Sequence, residues 1–177
     1  MTFTIRRSRV DDVPFLPAIE RSASDLFRTI PDLAWIADGD DMSVDRHLQF
    51  VEQGTSWVAE ANDGQILAFL CAEVMDDALH IWELAVALHQ QRRGIGAALM
   101  MEAINVARQR RLWSVTLTTF RAVAWNEPTY RRMGFQTLRP RSCDARLARI
   151  LQHEAEGGLP IERRCAMRLA LATSSDL

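Results

Sequence analysis

Apolar residues along this 177-residue chain recur with two periods, and the points where one gives way to the other mark out its elements. Over residues 2–7, Phe3 and Ile5 alternate with threonine and arginine, the pattern of a short strand. Asp11 and Asp12 then supply the acids a helix N-terminus favours. Val13, Leu16, Ile19 and Ala23 follow at helical spacing, with Pro14 tolerated in the first turn. Residues 31–42, with Pro31, Gly39 and the acids Asp38, Asp40 and Asp41, read as a loop, after which Ser43 can cap a second helix ending near Gly54. Residues 55–61 and 65–74 read as a hairpin around Asn62-Asp63-Gly64, and 79–88 as a third strand. A helix follows Gly94, carrying Gly96, Leu99, Met100, Ala103 and Ala107 on one face. Over 112–119, Trp113, Val115 and Leu117 alternate with Ser114, Thr116 and Thr118. A short helix at 124–132, a strand near Phe135, a helix at 144–155 and a last strand at 162–171 complete the chain.

This order predicts an α/β or α+β fold with a mixed sheet, and a right-handed parallel crossover over 79–119. No repeat, low-complexity run or linker divides the chain, so one domain over 1–177 is expected. An apolar fraction of 48% supports a real core. No apolar stretch follows the early arginines and none approaches the ~20 residues that span a bilayer, so a cytoplasmic protein without a membrane partner is expected.

Charge narrows the chemistry. All 21 basic residues are arginine, and without a lysine neither Schiff-base chemistry nor a Walker-type phosphate loop is possible. The net charge of -2 gives no general reason to expect nucleic acid as a partner. It is unevenly spread: residues 1–90 carry a net -10 and residues 91–177 a net +8. Cys71, Cys143 and Cys165 lack metal-ligand spacing and read as reduced thiols, and no metal is expected. His80 and His89 flank the 79–88 strand without partners at triad or metal spacing.

The informative stretch begins at Glu83-Leu84-Ala85-Val86 and runs through Gln91-Arg92-Arg93-Gly94-Ile95-Gly96-Ala97 into the helix. A strand that passes through a glycine-containing loop straight into a helix builds an anion cradle. The glycines permit a close bend, the first-turn amides lack partners in the helix, and its dipole favours negative charge. Arg92 and Arg93 add two-pronged phosphate donors. The segment is neither GxGxxG nor GxxxxGK[ST].

Gln91-Arg92-Arg93-Gly94-Ile95-Gly96 resembles the [QR]xxGx[GA] signature of the GNAT superfamily of acetyl-CoA-dependent N-acetyltransferases, with Val86 the usual five residues ahead. Trp125-Asn126-Glu127-Pro128-Thr129-Tyr130-Arg131-Arg132-Met133-Gly134-Phe135 is similar to that superfamily's N…YxxxGF element, although Asn126 stands four residues before Tyr130 where seven is commoner.

The resemblance implies a central mixed sheet of six to seven strands flanked by helices, with one strand pair splayed around the pantetheine arm of acetyl-CoA. Leu84, Ala85 and Val86 would meet pantetheine or the acetyl carbonyl. The loop from Gln91 to Ala97 would take the diphosphate, and Asn126 would lie at the cofactor. A main-chain amide near Val86 would polarise the thioester carbonyl.

The acceptor must lose a proton. An amine of pKa ~10.4 is neutral in only about 1 molecule in 2,500 at pH 7, which costs roughly 4.6 kcal/mol. Glu83, polar within the apolar run Ile81, Trp82, Leu84, Val86, is the expected general base, with Glu73 as second choice. Tyr130, the one tyrosine, falls on the resemblance's general-acid position. Attack is expected to be direct, and Cys71 would be the residue to test for a covalent route.

The expected acceptor is a small-molecule primary amine. A protein N-acetyltransferase and a catalytically silent acyl-CoA-binding module are the alternatives. The acids around Asp40 could attract a cationic amine and Trp35 could touch it, while the stretch 140–160 could form a flap or a homodimer contact.

Overall fold

The computed structural model describes residues 2–139 and 143–171. Seven strands form one mixed sheet in the order β1-β2-β3-β4-β5-β7-β6, where β1 is Phe3–Arg7, β2 Ser56–Ala61, β3 Ile66–Met75, β4 Ala78–Val86, β5 Ser114–Phe120, β6 Gln136–Thr137 and β7 Arg164–Ala170. Among the described residues five α-helices accompany them: α1 Leu16–Ser24, α2 Val44–Glu52, α3 Ile95–Gln109, α4 Glu127–Arg132 and α5 Ala145–Glu156. The expected order of elements and the mixed α/β class are both present. The described residues divide into two compact units. One holds those up to Glu73 together with Trp82–Val106, the other Val74–Ile81 together with those from Ala107 on.

In the first unit β1 and β2 pair antiparallel from Phe3↔Ala61 to Arg7↔Trp57. The β2–β3 hairpin turns at Gly64, whose φ of 86° lies in the left-handed region open to glycine, as the Asn-Asp-Gly signal requires. The early segment is more ordered than its polar sequence suggests. A 3-10 turn over Val10–Phe15 leads into α1, and two further 3-10 stretches, Asp25–Thr29 and Pro31–Asp38, occupy ground expected to be mostly loop. Leu33 and Ala37 are buried there, and that apolar anchoring outweighs the loop-like composition. Ser43 caps α2 as expected, its hydroxyl accepting the Arg46 amide at 3.2 Å. Leu16 and Ile19 of α1, Phe50 of α2, Val58, Phe69, Cys71 and Ala85 pack into one buried cluster, with Met42 and Trp82 against it. Each such large aliphatic or aromatic side chain contributes about 1.5–3 kcal/mol of burial, enough to fix α1 and α2 on the strands.

In the second unit β4 and β5 are parallel, from Ala78↔Ser114 to Ile81↔Leu117. β4 continues beyond that last rung for five residues, Trp82–Val86, which belong to the first unit. β5 also pairs antiparallel with β7 along its whole length, Ser114↔Ala170 to Phe120↔Arg164. The alternation over 112–119 suggests a polar face, yet Ser114, Thr116 and Thr119 are buried and Trp113 is 63% exposed. A strand hydrogen-bonded on both edges can bury small hydroxyl side chains if they find partners. Thr116 bonds the Nδ1 of the fully buried His80 at 3.0 Å and Arg146 at 3.4 Å. Burial, helped by Arg146, holds the His80 pKa down at about 3, so the ring stays neutral. α5 starts at an Asp144 cap and turns Leu147 and Ile150 inward.

Candidate functional site

The first unit carries the strand–loop–helix segment. At the C-terminal end of β4, Ala85 is buried in the core while Leu84 and Val86 are partly exposed. A Cβ placed on Gly96 would meet Val86 Cγ2 at 3.5 Å and Leu84 Cδ2 at 3.8 Å, so the first turn of α3 lies close against that face of the strand. The loop is pinned to the strand by Gln91, whose Nε2 donates to the Val86 carbonyl at 3.1 Å. Gln91 therefore ties the loop down, and Arg93 is held by Gln90 Oε1 at 3.1 Å.

Arg92 and Gly94 both adopt left-handed backbone, with φ of 62° and 80°. At Gly94 a side chain would be strained even though nothing lies within 4 Å of a Cβ there. Ile95 is buried and anchors the turn. The Ala98 amide makes the first helical bond, to Gly94 O at 3.0 Å, so the amides of Ile95, Gly96 and Ala97 precede the intrahelical ladder. Arg92 and Arg93 are exposed beside them. These are the donors a diphosphate needs.

Glu83 lies two residues before core-facing Ala85, and strand alternation puts the two on one face. Its neighbour is a carboxyl that the sequence reading missed, Glu20 of α1. Glu20 Oε2 accepts the Met42 amide at 3.0 Å. Burial first, then the charge of Glu83, raise the Glu20 carboxyl to about 8; Asp41 adds to the effect and the Met42 bond opposes it. Only helix α1, one turn of which also carries core residues Leu16 and Ile19, brings Glu20 to Glu83. Sixty-three residues of sequence hold no signal for that pairing.

Cys71 is fully buried beside both carboxyls. Burial, Glu83 and Glu20 push its thiol well above the ordinary range, and a thiol so held is a poor nucleophile. Glu73, the second choice for a base, is engaged otherwise. One of its oxygens accepts from Arg46 at 2.8 Å and from the Trp82 indole at 2.9 Å. The Arg46 guanidinium also stacks over Phe50, 4.3 Å from the ring centre. That carboxylate oxygen is therefore already committed to structural bonds. The acidic run is likewise partnered: Asp38 with Arg28 at 2.7 Å, and Asp41 with Arg21.

The second unit holds the other motif. Asn126 starts α4, its main-chain oxygen accepting the amides of Thr129 at 2.9 Å and Tyr130 at 3.1 Å. Its Nδ2 donates to Thr119 of β5 at 2.8 Å, while its buried Oδ1 has no partner within the described residues. Tyr130 is half-buried and packs edge-on against Phe135, ring centres 5.9 Å apart. Phe135 also closes the turn after α4, donating its amide to Tyr130 O at 3.1 Å.

Comparison with known proteins agrees with both motifs. The family model described as the acetyltransferase (GNAT) family matches residues 20–135, well over half of the chain. The chain belongs to that family. The matched span runs from Glu20 to Phe135, and so covers every residue that the sequence led us to expect in the site.

Solved structures carry the same fold. The PaiA N-acetyltransferase from Thermoplasma acidophilum, in complex with coenzyme A, is 15% identical over 97% of this chain and 100% of that one, with a TM-score of 0.72. Rv2747 from Mycobacterium tuberculosis, in complex with CoA and NLQ, is 24% identical over 96% and 99%, at 0.68. The ribosomal-protein-S18-alanine N-acetyltransferase from Escherichia coli is 18% identical over 99% and 97%, also at 0.68. At these identities the likeness is one of fold. Among the described residues no helix is long and apolar enough to cross a membrane, and no group of His, Cys, Asp and Glu has the make-up of a metal site.

Proposed function

We propose that residues 1–177 form one cytoplasmic N-acetyltransferase domain that moves the acetyl group of acetyl-CoA to a small primary amine by direct attack. The observation that carries this reading is the loop at Gln91–Ala97. It is pinned to the end of β4 by Gln91, bent by Gly94 and open at the amides of Ile95, Gly96 and Ala97.

Those amides, with Arg92 and Arg93, hold the diphosphate of the co-substrate. The main chain of Leu84, Ala85 and Val86 takes the pantetheine arm, and an amide near Val86 polarises the thioester carbonyl. The unpartnered Oδ1 of Asn126 is an acceptor with capacity to spare for the same ligand. Glu83 removes the ammonium proton, and Tyr130 returns a proton to the departing thiolate. The high-pKa, buried thiol of Cys71 favours direct attack over a covalent relay.

The test is thiol release from acetyl-CoA with a panel of amines that includes 1,4-diaminobutane, 2-phenylethylamine, aniline and amino acids. Amine-dependent thiol is the expected result. CoA affinity with no amine-dependent thiol would leave a binding module in place of the enzyme, and no affinity at millimolar CoA would remove both readings. Tyr130→Phe should lower kcat by ~10²–10⁴ with little change in acetyl-CoA affinity.

A further inference from the structure

His47 is the odd residue in the interior of the first unit. It lies on α2, is fully buried, and packs edge-on against Phe69 of β3, with ring centres 5.1 Å apart and planes at 85°. Neither Nδ1 nor Nε2 has a hydrogen-bond partner among the described residues. A neutral imidazole so placed leaves one donor and one acceptor unpaired, which offsets part of what burying the ring contributes. A further proton would add a second unpaired N–H and a full charge.

No anion stands ready to receive that charge. On α2 itself Asp45 and Glu52 are exposed, and Arg46 is bonded to Glu73 of β3 at 2.8 Å. On the 3-10 turn Val10–Phe15, Asp11 is exposed, while Asp12 is held by Arg6 at 2.7 Å, as is Glu60 of β2. On α1, Glu20 accepts the Met42 amide and Arg21 is bonded to Asp41; the Cys71 thiol of β3 is neutral. Burial is the one cause that holds the His47 pKa below its ordinary value.

We propose that His47 is an acid-sensitive latch: neutral, it holds α2 on the sheet, and protonated, it releases the helix. That helix carries Arg46, which bridges to Glu73, stacks over Phe50 at 4.3 Å and lies 5.6 Å from the Trp82 ring centre. Release of α2 therefore also takes the cation from Glu73 and from Trp82, the residue before Glu83 on β4. The released helix binds its imidazole proton near the ordinary 6.5, whereas the docked helix resists it. Docking is thus fully favoured above pH 6.5 and weakens as pH falls below that value.

The test is amide hydrogen exchange at residues 48–52 of α2, with residues 100–107 of α3 as reference, in wild type, His47→Phe and His47→Leu at pH 7 and pH 5. Protection factors are compared, because they already remove the intrinsic effect of pH on exchange. In wild type the protection of α2 should fall about tenfold from pH 7 to pH 5, while that of α3 changes by less than about twofold. In either variant α2 should keep its protection within about twofold. His80, also buried as a neutral ring, is present in all three proteins, so its titration cancels. The readout needs no acetyl transfer and stands or falls apart from the function proposed above.

Unchanged protection of α2 in wild type, an equal fall in α3, or a fall that persists in the variants would overturn the proposal. If the Phe ring does not fit the site, His47→Leu carries the comparison. The wild-type contrast between α2 and α3 decides against the latch, or for it, without any variant.

Discussion

Glu73 and Glu83 stand on consecutive strands of the first unit, and both are acids within apolar runs. Their surroundings separate them completely. Glu73 has been given a cation and an indole, while Glu83 has been given a second carboxyl. Glu73 is tied to the Arg46 guanidinium and the Trp82 indole, while burial and the charge of Glu83 raise the Glu20 carboxyl. Under the proposed function the same kind of side chain serves packing in one place and proton transfer in the other, and residues of α1 and α2 set the two surroundings apart.

The largest expected effect separates the two by turnover. Glu83→Gln should lower kcat by about 10²–10⁴ without loss of CoA affinity, while Glu73→Ala should leave kcat within a few-fold of wild type. A Glu83→Gln protein with normal turnover would erase the distinction.

Next comes stability, where the ranking reverses. Glu73→Ala removes the carboxylate oxygen that accepts from both the Arg46 guanidinium and the Trp82 N–H and should cost about 1–3 kcal/mol in denaturant unfolding. No loss would mean that the bridge is incidental.

The smallest effect is a matter of sign. Glu20 has a folded pKa raised to about 8 from an ordinary 4.5, so between those values the folded state holds more protons than the unfolded one. Stability from this group is present below pH 4.5 and is lost as pH rises through 8. Glu20→Gln should accordingly melt close to wild type at pH 5 and about 3–6 °C above it at pH 8.5. A variant that melts lower at pH 8.5 would place Glu20 with Glu73, among the partnered carboxylates.

How far these roles were legible differs from element to element. Asn62-Asp63-Gly64 dictated its turn, Ser43 its cap, and the loop at Gln91–Gly96 its bend, because each is settled within a few residues by φ preference or by a local hydrogen bond. The 3-10 stretch Pro31–Asp38 was not legible, since burial of Leu33 and Ala37 decides it and burial is a property of the assembled chain. The threonines of β5 misled for the same reason: alternation records polarity, and β5 is paired with β7 along its whole length and with β4 over Ser114–Leu117. For the stretch 140–160, α5 and its Asp144 cap account for most of it, and residues 140–142 lie outside those described.

The chain of residues by itself determined the order of elements, the phosphate-type loop and the two GNAT motifs, because these are contiguous and each depends on local backbone chemistry. Tertiary structure alone decided which acid receives Arg46, that Cys71 is sealed with a raised pKa, and that Glu20 meets Glu83. The physical reason is distance along the chain. A carboxyl's pKa is set by whatever lies within a few ångströms of it, and those neighbours come from segments that only packing of the apolar core brings together.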